Sequence, residues 1–160
     1  MNSKERVKDS GVRDYLSTLV LVNKQNELPS DFVPGDLVIP NVKFSFSEDL
    51  PKKKMRKEAA DALEKLFTQA EVDGIELVAI SGFRSYERQA EIFANAVGRM
   101  GETQANRVSA RPGESEHQTG LAMDVSSASV GYELVESFGD TTEGKWLAKK
   151  ASQFGFIIRY

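Results

Sequence analysis

The chain has 160 residues, of which 40% are hydrophobic and 28% are charged, and this composition is typical of one ordinary globular domain and argues against disorder. Its 21 Lys and Arg against 24 Asp and Glu give a net charge of −3, which argues against general nucleic-acid binding because a phosphate backbone attracts basic surfaces. No window approaches the roughly 18 consecutive apolar residues of a membrane-spanning helix, so no transmembrane helix is predicted in the chain as given. Residues 1–14 alternate charges without an apolar core, so no export signal is predicted there either.

Two residue types that often carry chemistry are scarce. Cysteine is absent, which excludes disulfides, thiolate nucleophiles and cysteine zinc sites. His117 is the only histidine, so these residues alone cannot perform catalysis that needs two imidazoles. The lack of cysteine suits the cytosol and also the outer face of a Gram-positive cell, so the compartment stays open.

The first fifty residues predict short strands and turns, because prolines interrupt short apolar runs such as 19–22 and 37–39. A basic run, residues 52–57, follows and favours the solvated start of a helix. Contact with an anionic cell-wall polymer is the alternative interpretation of this run.

Apolar residues on one helical face predict a helix over Met55–Asp73, with Gly74 as its stop. The apolar run Ile75–Ile80 predicts a buried strand. A second helix is expected to begin near Ser85 and to end around residues 98–101.

Residues 102–120 are polar and rich in Gly and Pro, and they predict a loop before a short strand at Leu121–Val125. Thr142 is expected to cap a third helix that continues through Phe154, and residues 156–160 predict a last strand. Because strands and helices mix without regular βαβ alternation, we expect an α+β fold with a central antiparallel sheet flanked by helices.

The segment Ser115–Asp124 carries the strongest chemical signal. His117 at the end of a loop and Asp124 on the following strand can converge on one metal ion, and imidazole and carboxylate are both ordinary zinc ligands. By spacing alone, a lone His and a lone Asp are more often hydrogen-bonded loop residues.

Arg84 lies at a predicted junction between a strand and a helix. Its guanidinium can bind a carboxylate, or negative charge that develops on a carbonyl oxygen, through two hydrogen bonds. The alternative is a surface arginine that holds a neighbouring Glu. The basic turn at residues 107–113 is interpreted as loop-closing structure.

The motif S-G-F-R-S-Y, followed by S-x-H-x-x-G-x-A-x-D, resembles the VanY-type zinc D-alanyl-D-alanine carboxypeptidases and their LdcB-like L,D-carboxypeptidase relatives. The resemblance extends to residues 19–24 and 154–156, so it covers most of the chain. It implies a fold of the Hedgehog/D-Ala-D-Ala-peptidase type, and a Hedgehog-type signalling domain is disfavoured by the S-G-F-R-S-Y segment.

The resemblance also implies roles for individual residues. His117 and Asp124 are similar to two of the three zinc ligands of the family, Arg84 to its substrate-binding and oxyanion-stabilising arginine, and Gln89 and Ser115 to its substrate contacts. In such enzymes zinc polarises the scissile carbonyl, while a glutamate moves the proton of the attacking water. The implied partner is the D-alanine end of a peptidoglycan stem peptide, at the outer face of a Gram-positive envelope reached through an anchor or signal absent from this chain.

The third zinc ligand of the family is a second histidine, three residues after the catalytic glutamate, and nothing like this element occurs before Tyr160. We therefore expect a single carboxypeptidase-like domain, residues 1–160, that lacks its last catalytic segment. Glu116 or Asp140 could replace the missing ligand, although no positional reason favours either. The alternative function is a non-catalytic module that binds peptidoglycan peptides.

Overall fold

The computed structural model of the protein describes residues 13–159. This part of the chain contains four α-helices: α1 (Lys57–Val72), α2 (Tyr86–Met100), α3 (Glu102–Val108) and α4 (Thr142–Lys150). It contains four short strands: β1 (Leu37–Val38), β2 (Met55–Arg56), β3 (Val78–Ser81) and β4 (Asp124–Ser126). Short 3-10 turns connect them, at Pro51–Lys53, Glu116–Thr119, Ala128–Val130, Glu136–Asp140 and Ala151–Phe154.

The strands form two antiparallel pairs, β1 with β2 and β3 with β4. In the second pair Val78 lies opposite Ser126 and Ser81 lies opposite Asp124, with an irregularity between Ala79 and Ser81. The predicted α+β class with antiparallel pairing is confirmed, and the pairing is divided between two small sheets. Within residues 13–159 no helix is long and apolar enough to cross a bilayer.

The core is built on the inner face of α1. Its apolar residues recur at helical spacing and pack against Met55, Leu77 and Leu147. The predicted start of this helix at Met55 is wrong by two residues, because Met55 and Arg56 pair with β1 as a strand. Its predicted stop is confirmed, since Gly74 adopts a φ of +75° directly after the last turn.

The prediction of a loop throughout residues 102–120 is wrong, because the structure places α3 and a 3-10 turn there. Gly101, with a φ of +80°, separates α2 from α3, and α3 then packs against α2 through the fully buried Ala105. The segment is too polar to show an apolar period, so its sequence hides the helix.

Several predicted boundaries are shifted. The strands predicted at 75–80 and 121–125 lie at 78–81 and 124–126, and residues 19–22 are not a strand. The cap of α4 is Thr141, whose Oγ1 accepts a hydrogen bond from the Gly144 N–H at 3.0 Å, and the helix ends at Lys150 before a 3-10 turn. Residues 156–159 form no strand, and Tyr160 lies outside the described residues.

The basic run is not uniformly solvated as predicted. Lys53 is only 8% exposed, and its Nζ donates hydrogen bonds to the Ser47 carbonyl and to Asp49. Its ammonium group also lies 5.2 Å from the centre of the Phe44 ring. The 3-10 turn that carries Lys53 therefore packs into the fold, beside the end of β3.

Candidate metal and substrate site

His117 lies in the 3-10 turn Glu116–Thr119, which Ser115 caps and Gly120 ends with a φ of +72°. Its ring Nδ1 is 2.7 Å from the Gly82 carbonyl oxygen. Because a carbonyl can only accept, Nδ1 carries a proton in this contact, and a neutral ring then leaves the Nε2 lone pair free. This orientation is the one that a metal-binding histidine needs.

The free nitrogen faces Asp124, the first residue of β4. His117 Nε2 and Asp124 Oδ1 are 3.4 Å apart. Two acceptors at this distance repel unless a cation lies between them. Two ligands of a tetrahedral zinc, each about 2.0–2.2 Å from the metal, are separated by roughly 3.3–3.5 Å. The pair therefore fits two adjacent positions of one zinc ion.

A third ligand is not found among residues 13–159, where no group of three or more His, Cys, Asp or Glu side chains could hold a metal ion. The Glu116 carboxylate instead binds the Arg159 guanidinium at 2.9 Å. Asp140 is exposed at the end of the 3-10 turn Glu136–Asp140. The suggestion that either residue completes the ligand set is therefore wrong for this arrangement.

Arg84 follows β3 and is held close to His117, since its backbone N–H donates to the His117 carbonyl at 3.1 Å. Its guanidinium donates to Gln89 Oε1 at 3.0 Å and to Ser81 Oγ at 3.4 Å. Burial lowers the pKa of Arg84, and the attraction of Asp124 opposes that shift. Among the described residues no carboxylate forms an ion pair with Arg84, so the guanidinium can bind an incoming anion.

Gln89 and Ser115, the two predicted substrate contacts, are both buried in the site. The Gln89 amide is 2% exposed, and its Nε2 donates to the Ala110 carbonyl at 2.7 Å while its Oε1 accepts from Arg84. The Ser115 hydroxyl accepts from the His117 N–H at 3.3 Å. Gln89 therefore orients Arg84, and Ser115 caps the turn of His117.

Sequence reasoning gave no role to Gly82. A Cβ at this position would lie 2.5 Å from the Lys54 carbonyl oxygen, and the Gly82 N–H donates to Lys52 O at 2.6 Å. The end of β3 thus packs directly on the 3-10 turn Pro51–Lys53 and the residue after it. The Gly82 carbonyl also holds the His117 ring. The glycine of the S-G-F-R motif was the available signal, because a side chain at this position would clash with the backbone of Lys54.

Residues 52–160 match the family model described as VanY, D-alanyl-D-alanine carboxypeptidase. This chain belongs to the VanY family. The predicted resemblance is therefore confirmed, and the family fold accounts for the mixture of helices with small antiparallel sheets.

Solved and curated VanY relatives are similar over nearly the whole chain. The putative carboxypeptidase YodJ of Bacillus subtilis is 58% identical over 142 residues, which cover 89% of this chain and 52% of the relative. The structure of the LdcB LD-carboxypeptidase is 55% identical with a TM-score of 0.90, over 93% of this chain and 70% of that one. A vancomycin-resistance D,D-pentapeptidase VanY, solved with Zn(II), is 29% identical with a TM-score of 0.65, over 92% and 78%.

This VanY-family chain spans about half the length of the first curated relatives that it matches, from 52% to 56%.

Proposed function

We propose that this chain is the zinc-binding domain of a carboxypeptidase that removes C-terminal D-alanine from peptidoglycan stem peptides. The observation that carries the proposal is the His117–Asp124 pair, whose 3.4 Å separation fits a zinc ion beside a guanidinium that has no carboxylate partner among residues 13–159. The Zn(II) in a VanY relative and the LD-carboxypeptidase activity named for LdcB support the same assignment.

Arg84 is assigned to the substrate. A partly desolvated guanidinium that is held by neutral partners gains most from an anion, and the C-terminal carboxylate of a peptide offers one with matching geometry. The same group can stabilise negative charge that develops on the scissile carbonyl oxygen. Gln89 fixes the guanidinium plane, and Ser115 caps the turn that carries His117.

Bound zinc would polarise the scissile carbonyl and lower the pKa of a water molecule. His117 would hold the metal through Nε2, while its Nδ1–H donates to the Gly82 carbonyl and keeps the ring in one orientation. Asp124 would bind through Oδ1 and supply negative charge that offsets the cation. No residue between 13 and 159 is assigned as the base that accepts the proton of the water.

The proposal includes the domain organisation: residues 1–160 belong to one carboxypeptidase-like domain. Among residues 13–159 two candidate zinc ligands, His117 and Asp124, lie together without a third. A catalytic zinc normally has three protein ligands, so two should hold it weakly. We expect the 160-residue chain to bind zinc substoichiometrically at micromolar metal and to cleave D-alanine peptides negligibly.

We also propose that the protein acts at the outer face of a Gram-positive cell envelope, because peptidoglycan is the proposed substrate. Fractionation of cells that express the natural gene would test this location. Recovery in the cytosolic fraction alone would contradict it.

The decisive experiment is a zinc titration of the purified chain, followed by the same titration of His117→Ala and Asp124→Asn. Each variant should lose zinc binding while the unfolding midpoint stays nearly unchanged, because both side chains are partly exposed ligands rather than core. Peptides that end in D-alanine after an L- or a D-residue should then be compared for binding and cleavage. Zinc binding that persists in both variants would overturn the assignment.

A non-catalytic peptide-binding module is the second candidate, and the absence of a third ligand in residues 13–159 favours it. Its signature is affinity for a D-alanine-terminated peptide that requires Arg84 and is insensitive to a chelator. Loss of peptide affinity on chelation would exclude this candidate.

A further inference from the structure

Gln118 is buried beside His117 and has no role in the proposed zinc chemistry. It is 1% exposed, and it follows His117 in the same 3-10 turn. Buried amides are rare unless they are hydrogen-bonded, because burial of an unpaired polar group is costly. Its partners therefore show why the fold keeps an amide at this position.

The Gln118 amide reaches across the fold to the turn at residues 29–32. Its Nε2 donates to the Pro29 carbonyl at 3.0 Å and to the Phe32 carbonyl at 3.1 Å. Both partners only accept, so the group that faces them must be the NH2 and not the amide oxygen. One side chain thus joins the turn of His117 to a segment 86 to 89 residues earlier.

A second contact holds the same two segments together. The Leu28 N–H donates to the Gly113 carbonyl at 2.8 Å. A Cβ on Gly113, where φ is +88°, would lie 3.0 Å from the Leu28 carbonyl oxygen. The segment 28–32 therefore lies directly against the loop that carries Ser115 and His117.

The turn of His117 is thereby held by contacts with two separate segments. On one side its Nδ1 and its carbonyl are bonded to Gly82 and Arg84, which belong to the end of β3. On the other side Gln118 fixes the turn to segment 28–32, which lies outside the matched range 52–160. A turn that was anchored to only one of these segments could rotate about that anchor.

We propose that Gln118 is a positioning residue: its two hydrogen bonds to segment 28–32 hold the His117 imidazole at the distance and in the tautomer that a metal requires. The expected effect on zinc binding rests on the proposed function. The expected effect on the His117 tautomer does not, because the tautomer can be measured in the metal-free protein. Segment 28–32 thus becomes part of the site although it contributes no ligand.

The chain is well suited to a test because it has one histidine and one tryptophan. With 15N-labelled histidine, every imidazole NMR signal belongs to His117 and reports its tautomer. Trp146, on α4, reports global unfolding by fluorescence. The test variant is Gln118→Met, which keeps the length of the side chain and removes both donors. The matched control is Gln69→Met, the same change at an amide of α1 that donates to Asp73.

We expect Gln118→Met to weaken zinc binding about tenfold, as loss of an outer-shell partner typically does. In the metal-free protein at a pH of about 8, where a free imidazole is neutral, the Nδ1–H signals should broaden or shift toward the other tautomer. Gln69→Met should change neither readout. A buried core variant, Leu66→Val, should lower the unfolding midpoint and leave the tautomer unchanged, which separates lost stability from lost positioning.

The inference is overturned if Gln118→Met binds zinc within twofold of the parent and shows the parent imidazole signals. If that variant does not fold, Phe32→Ala decides, because Phe32 carries one of the two carbonyls that accept from Gln118 and packs on Tyr15 at a half-exposed position, so that loss of its ring should loosen segment 28–32. Unchanged His117 signals in Phe32→Ala would then refute the inference. A parent chain without zinc affinity refutes the proposed function instead, while the tautomer comparison still decides the role of Gln118.

Discussion

The two sides of the candidate site are built very differently. The side formed by the end of β3 and the turn of His117 is held by several hydrogen bonds, which involve the backbone of Gly82, Phe83 and Arg84. The other side, residues 155–159, forms no helix or strand, and its Ile157 and Ile158 side chains are 70% and 50% exposed. One side is thus held by a network of hydrogen bonds, while the other is held by the Arg159–Glu116 ion pair and by the packing of Phe156 against the core. Under the proposed function, the difference indicates that Arg84, His117 and Asp124 are positioned before a third metal ligand binds.

The largest expected effect comes from Gly82→Ala, which acts on the ordered side. The new Cβ would lie 2.5 Å from the Lys54 carbonyl oxygen, so the backbone must shift here, and we expect the hydrogen bond between Gly82 and His117 to weaken. Overpacking of this kind costs about 1–3 kcal/mol of stability. We expect that loss in chemical denaturation, together with loss of zinc binding.

Gly98→Ala is the matched control for this change. Gly98 lies within α2 and has open space where the Cβ would stand, so alanine should stabilise the helix by about 0.5–1 kcal/mol. Equal effects of the two substitutions would show that the close approach at Gly82 does not matter.

The second effect in size is expected for Arg84→Lys, which keeps the charge and removes the planar fork. In a version of the protein that contains the full ligand set, turnover of D-alanine peptides should fall more than about tenfold. Arg88→Lys is the control, because Arg88 is exposed on α2 and pairs with Glu91 on the same helix. Turnover of Arg84→Lys within twofold of the parent would remove Arg84 from the substrate site.

The sequence predicted the ordered side better than the rest. The apolar period located α1 and α2, and the predicted start near Ser85 is confirmed by its side chain, which accepts from the Arg88 N–H at 3.1 Å. That His117 and Asp124 can converge was also predicted, since only the end of one turn and a short loop separate them, although their role as ligands came from the family resemblance and not from spacing. These features are local, so spacing along the chain is enough to encode them.

What the sequence did not reveal depends on distant contacts. The bond from Gln118 to segment 28–32 joins residues more than eighty positions apart, and no periodic pattern marks either end. Helix α3 was missed because it depends on packing of Ala105 rather than on an apolar stripe. Lys53 was taken for a solvated cation, since the aromatic rings that cover it belong to another segment.

Arg159→Ala, within residues 155–159, should change the stability of the protein only slightly. The Arg159 and Glu116 side chains are 50% and 39% exposed, and exposed ion pairs contribute about 0–1 kcal/mol. We expect a stability loss below about 1 kcal/mol and unchanged imidazole signals of His117. A loss as large as that of Gly82→Ala would show that residues 155–159 are as firmly built as the opposite side.

The smallest effect on stability is expected for the hydrogen bond that joins α4 to the end of α1. The Trp146 indole donates to Asp73 at 2.9 Å, and this bond, with a smaller contribution from Gln69, lowers the pKa of Asp73. A carboxyl whose pKa is depressed on folding stabilises the protein above its unfolded pKa of about 3.9, and this contribution is lost as the pH falls through the folded value. The stability difference between the parent and Trp146→Phe, followed by circular dichroism, should therefore be larger at pH 6 than at pH 2.5. Trp146→Phe also removes an indole from the edge of the core, but that packing loss is independent of pH, so only the part that disappears in acid measures the hydrogen bond. A difference that stays constant from pH 6 to pH 2.5 would mean that the bond to Asp73 contributes nothing.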